Sequence, residues 1–321
     1  MLKAVLVGLG NKGYSWYKRI RRDHPHIQLA VVEVNVGLQA RLAGEAVPFY
    51  TSVAEAIAKE QPDILLNVTP PAYHSAINEL AFQHRLPVFC EKPISNDYLE
   101  SVRIVELASR GNIPFMVAEN YRCFPFIRHM KSLLDQGEIG SITTIQIDFC
   151  RYHPTDIPYF LALKNPLLED VTVHHFDLIR YLTGREGKSI YAFNYCPVGS
   201  WLRANVNLSF CLEMEDGIIV NYIGSMTEKG RETGWSGDWR IEGTEGALLL
   251  IEDRLYLNKG EGNIPVDSGS VPDVSCFQHF LEALQTGDNA ETCGEDYIKT
   301  EALVYYANQS HDQQRRVLIT L

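Results

Sequence analysis

The chain has no C-x-x-C pair, no internal repeat, no low-complexity tract and no basic run longer than KRIRR at 18–22. Its seven cysteines, at 90, 123, 150, 196, 211, 276 and 293, are odd in number and scattered, which speaks against a disulfide framework or a zinc site. No apolar stretch approaches the roughly 20 residues that a membrane helix needs, so no membrane partner is expected. Positive charge is scarce, 29 Lys and Arg against 40 Asp and Glu, for a net charge of −11. Phosphate binding needs a basic footprint, and nucleic acid is therefore not expected as a partner. The opening MLKAVLVGLG lacks the apolar core and cleavage site of a secretory signal, and with thiols read as reduced we expect a cytoplasmic protein.

What is present is a chain of 321 residues, 45% of them hydrophobic, longer than one domain usually is. Over residues 1–120 short apolar runs (KAVLVGLG, IQLAVVEV, DILLNVTP, LPVFCEKP, PFMVAEN) alternate with helical stretches at 14–24, 38–44, 53–60, 74–84 and 97–110. That rhythm belongs to a parallel sheet covered on both faces. Past Asn120 come helices near 125–136 and 171–182, then strand-like runs at 189–196, 204–213, 217–226, 237–242 and 247–251 joined by short turns. Strands linked directly pair antiparallel. We expect an N-terminal Rossmann domain, doubly wound and dinucleotide-binding, over 1–120. Over 121–321 we expect a substrate-binding and oligomerisation domain, an open and mostly antiparallel sheet with helices on one face. The Gly-, Ser- and Pro-rich stretch 258–275 reads as an irregular, mobile loop.

VLVGLGNKG carries Gly8, Gly10 and Gly13 in G-x-G-x-x-G order between a strand and a helix. Gly8 permits the tight turn, Gly10 lets the backbone approach a pyrophosphate, and Gly13 lets the helix pack on the strand. Glu33 lies 20 residues beyond Gly13 at the end of the second strand, where an acid binds the adenosine ribose hydroxyls. A carboxylate there repels an extra phosphate, so NAD is expected rather than NADP, with Lys12 and Arg41 as the counterweights. Asn11 and Lys12 join the cofactor-binding residues.

Adding NVTPPAYH (67–74), VFCEKPIS (88–95), AENYRCF (118–124) and DVTVHHFD (170–177), the chain resembles the glucose-fructose oxidoreductase, inositol dehydrogenase and rhizopine catabolism family, Gfo/Idh/MocA. The resemblance implies Lys92 of the E-K-P motif as a catalytic lysine, with Pro93 often joined through a cis bond. It implies Asp170 and His174 as the remaining catalytic pair, and places Thr69, Pro70, His74, Glu91 and Asn120 along the cofactor. Thr172 stands where many members have Gly, and NPLLE replaces the usual Gly-Gly upstream of the Asp, so the substrate is not inherited from any named member.

On an α-helix starting at 170, Asp170, His174 and Asp177 fall within about 60° of one another, while His175 points about 140° from Asp170 onto the apolar face. His175 therefore reads as structural. Three readings remain for the other face: a divalent metal, a solvated surface, or proton transfer. Proton transfer fits best and no metal is expected, because a nearby Lys92 would repel a cation. A histidine titrating near neutrality can take the hydroxyl proton, a carboxylate one turn away can orient it, and Lys92 can stabilise the oxygen.

For substrate recognition we single out Arg122, Tyr152, Asp177 and Trp235, from a wider set that includes Tyr121, Phe124, Arg151, His153, Tyr159 and Trp239; for Asp177 the alternative is that it holds His174 or the domain junction in place. Aromatic faces beside charged hydrogen-bonders suit a polyol or sugar. The expected activity is NAD(P)-dependent hydride transfer at a hydroxyl or keto carbon of a sugar, cyclitol or related small molecule, by a homodimer or homotetramer. The alternatives are a redox-assisted glycosidase or epimerase with tightly held NAD, a non-enzymatic ligand sensor on the same fold, and a reductase of a non-sugar carbonyl such as an imine or a linear tetrapyrrole.

Overall fold

Strand β1 (Lys3–Val7) buries every residue but its first, and it runs at the centre of a six-stranded parallel sheet. The computed structural model describes residues 2–267, 271–272 and 274–321. Around β1 the sheet is completed by β2 (Gln28–Val32), β3 (Phe49–Tyr50), β4 (Ile64–Asn67), β5 (Val88–Cys90) and β6 (Phe115–Val117), in the order β3-β2-β1-β4-β5-β6. The order reverses at β1, between β2 and β4, which creates the crevice at the carboxyl ends of the strands where doubly wound sheets bind ligands. Helices α1 (Asn11–Asp23), α2 (Val53–Glu60), α3 (His74–Gln83) and α4 (Tyr98–Gly111) form the crossovers. As the Ser52 and Glu55 spacing predicts, the Ser52 hydroxyl accepts the Glu55 N–H at the start of α2. The expected helix at 38–44 is a 3-10 turn over Val36–Leu42.

The chain divides into two compact units, Met1–Glu119 with Cys276–Ile298, and Asn120–Ser275 with Lys299–Leu321. The return of Cys276–Ile298 differs from the unbroken second domain expected over 121–321. Its physical reason is an aromatic cluster: Phe277 lies 5.3 Å from Phe89 and 6.3 Å from Trp16, so one face of the helix Cys276–Thr286 completes the core of the first unit. Thr292 anchors the return by donating its hydroxyl to the Val117 carbonyl at 2.7 Å.

The second unit begins with α5 (Pro125–Asp135), β7 (Ile142–Cys150), α6 (Pro158–Ala162) and α7 (Val173–Thr183). Then follow β8 (Gly187–Tyr195), β9 (Asn207–Met214), β10 (Ile219–Ser225), β11 (Asp238–Gly243), β12 (Ala247–Ile251), β13 (Arg254–Asn258), β14 (Ile264–Val266) and β15 (Val317–Leu318). Among the described residues they build a nine-stranded sheet, β14-β13-β12-β11-β7-β10-β9-β8-β15, antiparallel except where β7 pairs with β10. Alternation sets its two faces. Ile145, Ile147, Phe149, Phe210, Leu212, Tyr222, Trp239 and Ile241 point inward with Ile127, Met130, Phe176, Ile179 and Leu182 from the helices. Tyr191, Phe193 and Ile223 stand exposed on the other face. Within the stretch expected to be an irregular loop, Ile264–Val266 pairs with β13; residues 268–270 and 273 of it lie outside the described residues.

Candidate active site

In the first unit the chain leaves β1 through Gly8, whose φ of +98° only glycine adopts without strain. A Cβ on Gly13 would stand 2.1 Å from the Gly8 carbonyl oxygen, so the helix approaches the strand only because that atom is missing. Gly10 is different: a Cβ there meets nothing within 4 Å. Gly10 also caps α1 with no side-chain hydrogen bond, and the first turn holds no acid, so no side chain caps the helix N-terminus beside that open space. This is the cradle an anion such as a pyrophosphate needs, and the residues present fit a dinucleotide.

Charged side chains brace the loop. Glu33 accepts the Leu9 N–H at 2.7 Å and the Asn35 N–H at 2.9 Å through its two carboxylate oxygens. Arg41 donates to the Leu9 carbonyl at 3.1 Å and to Asn11 Oδ1 at 2.9 Å, so Leu9 is pinned from both sides. Glu91 accepts from Trp16 Nε1 at 2.6 Å and lies 3.3 Å from the exposed Lys12 ammonium, which ties the E-K-P segment to α1.

Two residues expected along the cofactor are buried instead. His74 sets one ring nitrogen 2.7 Å from the Pro93 carbonyl and the other 2.8 Å from the Thr69 carbonyl. Burial draws its pKa down against the upward pull of those carbonyls. His74 is thus a brace between the Thr69–Pro70 turn and the Lys92–Pro93 bond, which is cis. Glu91, also buried, braces the E-K-P segment against α1 instead. Thr69 donates its hydroxyl to Asn67 Oδ1 at 2.7 Å, and its partly exposed side chain stays at the carboxyl edge of the sheet. Lys92, partly exposed, follows the end of β5 at that same edge. Asn120 falls in the second unit, where its carbonyl accepts the Cys123 N–H of the turn Tyr121–Cys123.

The EDVTVHHFD stretch of the second unit is not one α-helix. Leu167–Thr172 forms a π turn and α7 starts only at Val173, so regular α-helical spacing does not place Asp170 relative to His174. His174 and Asp177 both lie in the α-helical part and keep their spacing. Asp177 is fully buried in a bidentate pair with Arg122, and it also accepts the Thr300 hydroxyl at 3.2 Å. Arg122 is expected at the substrate, and Asp177 either there or as a support of the site; in the structure each satisfies the other. Thr300, 123 residues further along the chain, carries no local signal that could have revealed it. The buried Tyr121 lies flat on His174. Tyr159 sits among the carboxylates of Asp170, Glu169 and Glu301, and burial together with those charges pushes its phenol pKa up. Burial also raises the Glu169 carboxyl.

His175 is fully buried, with Nδ1 3.0 Å from the Tyr222 hydroxyl and Nε2 2.9 Å from the Trp235 carbonyl. A carbonyl only accepts, so Nε2 carries the proton and the Tyr222 hydroxyl donates to Nδ1. Burial lowers its pKa to about 3, with the Trp235 carbonyl opposing and His174 adding to the shift. Thr172, the departure from the family's glycine, reaches the same Tyr222 hydroxyl at 3.2 Å. His175 therefore holds the loop of Trp235, a residue 36% exposed whose ring lies beneath the Arg151 guanidinium at 4.7 Å and beside His153 at 5.0 Å. Tyr152, 47% exposed, carries the Lys229 ammonium over its ring at 4.7 Å.

Among the described residues no group of three or more His, Cys, Asp or Glu is arranged to hold a metal, and no helix is long and apolar enough to cross a membrane.

Comparison with known proteins gives two family matches. Residues 2–119 match the oxidoreductase family with an NAD-binding Rossmann fold, and residues 127–249 match the GFO/IDH/MocA C-terminal domain. A D-apiose dehydrogenase of Paraburkholderia graminis is 25% identical over 94% of this chain and 85% of its own. An inositol 2-dehydrogenase of an Arthrobacter species is 27% identical over 89% of this chain and 95% of its own. A solved oxidoreductase from Agrobacterium radiobacter, in complex with NAD+, L-tartaric acid and magnesium, shares the fold at a TM-score of 0.89 and 23% identity, covering 99% of this chain and 98% of that one.

Proposed function

The chain belongs to the GFO/IDH/MocA family of NAD-binding oxidoreductases, and on that premise we propose that it oxidises a secondary hydroxyl of a sugar or cyclitol, or reduces the matching ketone. The observation that carries the reading is the dinucleotide cradle, with open space over Gly10 beside a braced Glu33. The relatives named for apiose and inositol support a polyol substrate.

Gly8, Gly10, Asn11, Lys12, Gly13 and Glu33 would hold the dinucleotide, with Thr69, Pro70 and Asn120 further along it. When bound, the nicotinamide supplies the hydride acceptor. His174 takes the hydroxyl proton during oxidation and returns it during reduction. Asp170 orients and charge-stabilises the imidazole. Lys92 donates a hydrogen bond to the reacting oxygen and stabilises the negative charge that develops there. Trp235 offers a partly exposed ring face to the C–H patch of a sugar, with Tyr152 as a second contact. NAD is preferred over NADP because Glu33 repels a phosphate on the ribose. The enzyme works in the cytoplasm, as a homodimer or homotetramer that covers the exposed face bearing Tyr191, Phe193 and Ile223; light scattering that finds only monomer at micromolar concentration opposes that assembly.

The deciding experiment is a screen of cyclitols, aldoses and their ketones with NAD+ or NADH, following absorbance of the reduced nicotinamide. Steady turnover of at least one compound is expected. Silence across the whole screen with a folded protein that binds NAD would defeat the reading.

A further inference from the structure

The turn Tyr121–Cys123 engages α7 at two points one helical turn apart. Arg122 holds Asp177, and the residue before it lies on His174. The Tyr121 and His174 rings are stacked with centroids 4.1 Å apart and planes 11° from parallel. Tyr121 is backed by Phe124 at 5.1 Å and belongs to the apolar core of the second unit, so it has little freedom of its own. A hydrogen bond would fix one imidazole nitrogen. A ring laid flat against the imidazole fixes its whole plane, and blocks the flip that would exchange the two nitrogens. Its π face also favours the protonated ring that forms when a base accepts a proton.

We propose that Tyr121 is a positioning residue: its ring, and not its hydroxyl, sets the plane in which His174 presents its nitrogens, and it does not contact substrate. This rests on the reading of His174 as the proton acceptor. Proton transfer is sensitive to such placement, since a displacement of about 1 Å can lower a rate on the order of a hundredfold. Were Tyr121 a substrate contact, loss of its side chain would act on KM instead.

The test uses the full chain and needs no ligand for its first arm. In protein carrying 13C-histidine, the His174 ring resonances are assigned by their loss in His174→Ala. Ring current from a stacked tyrosine moves them upfield. The displacement should persist in Tyr121→Phe and vanish in Tyr121→Leu, or in Tyr121→Met should the leucine variant not fold. The second arm measures kcat and KM with the sugar or cyclitol turned over fastest in the screen. Tyr121→Phe should keep kcat within about twofold, and Tyr121→Leu should lower it roughly ten- to a hundredfold with KM little changed. Adding Tyr121→Leu to His174→Ala should cost nothing further, because the plane of an absent ring does not matter. Resonances without an upfield shift, a phenylalanine variant as slow as leucine, or an effect on KM alone would each overturn the proposal. If His174→Ala turns over normally, the proton-acceptor reading fails and the proposal with it, while an upfield shift still reports the stack.

Discussion

Arg122 grips Asp177 through two parallel hydrogen bonds, Nε to Oδ2 at 2.6 Å and Nη2 to Oδ1 at 2.7 Å, with both side chains buried. The guanidinium also lies 5.3 Å from the Tyr181 ring centroid. A buried pair of this kind is expensive to break, because the surviving charge is left in low dielectric; removing one partner costs about 3–5 kcal/mol. Asp177→Asn and Arg122→Met should each lose stability on that scale in urea titrations. The double variant Arg122→Met with Asp177→Leu should recover much of it. Single variants of unchanged stability but raised KM would return both residues to the substrate contacts.

His175 should link stability to pH. Its folded pKa, about 3, lies below the ordinary histidine value of 6.5. The unfolded chain therefore binds the proton more readily. The stabilisation is complete above about pH 6.5 and is lost as pH falls towards 3, the loss amounting to on the order of 5 kcal/mol. His175→Gln should flatten that part of the profile, measured as the difference between variant and parent so that titrating carboxylates cancel. It should melt at a lower temperature at neutral pH and change turnover mainly through the Trp235 loop. A parallel pair of stability profiles between pH 4 and 7 would contradict the buried neutral imidazole.

Three substitutions separate the roles within the glycine loop. Gly10→Ala places a methyl in open space, so the protein should fold with unchanged melting temperature and lose NAD affinity by roughly tenfold or more. Gly13→Ala drives a methyl into the Gly8 carbonyl and should destabilise the fold itself. Glu33→Ala should narrow the preference for NAD over NADP. Calorimetry reads the affinities, and equal dissociation constants for the two dinucleotides in the parent protein would count against the assigned role of Glu33.

Lys92→Ala and His174→Ala should each lower turnover on the order of a hundredfold or more, the usual scale for an electrostatic or acid–base group. The His174 variant should bind NAD as the parent does. Asp170→Asn should keep the fold, lower the rate and shift its pH dependence. Normal turnover in either alanine variant removes that residue from the proposed chemistry.

The strands and most helices were legible because their signals are local. Residues 53–60 read as a helix that starts behind the Ser52 and Glu55 capping pair, and the structure starts and stops that helix at the same residues. The pale spots were equally physical. The π turn at Leu167–Thr172 arises inside a run whose apolar pattern is compatible with an α-helix, and the return of Cys276–Ile298 depends on aromatic rings far away in the chain.

By itself the sequence determined what neighbouring residues decide: a parallel sheet from buried runs, an antiparallel one from directly linked alternating strands, and a glycine loop whose three positions each answer a backbone requirement. Only the tertiary structure decided what each charged or aromatic side chain faces. His74 closes on Thr69 and Pro93, Glu91 on Trp16, Asp177 on Arg122 and Thr300, and His175 on Tyr222 and Trp235. Those partners lie from 5 to 123 residues away. A carboxylate or imidazole in a sequence has the same chemistry whether it meets a substrate or a buried partner, and which of the two it meets is set by the packing of elements that no local pattern encodes.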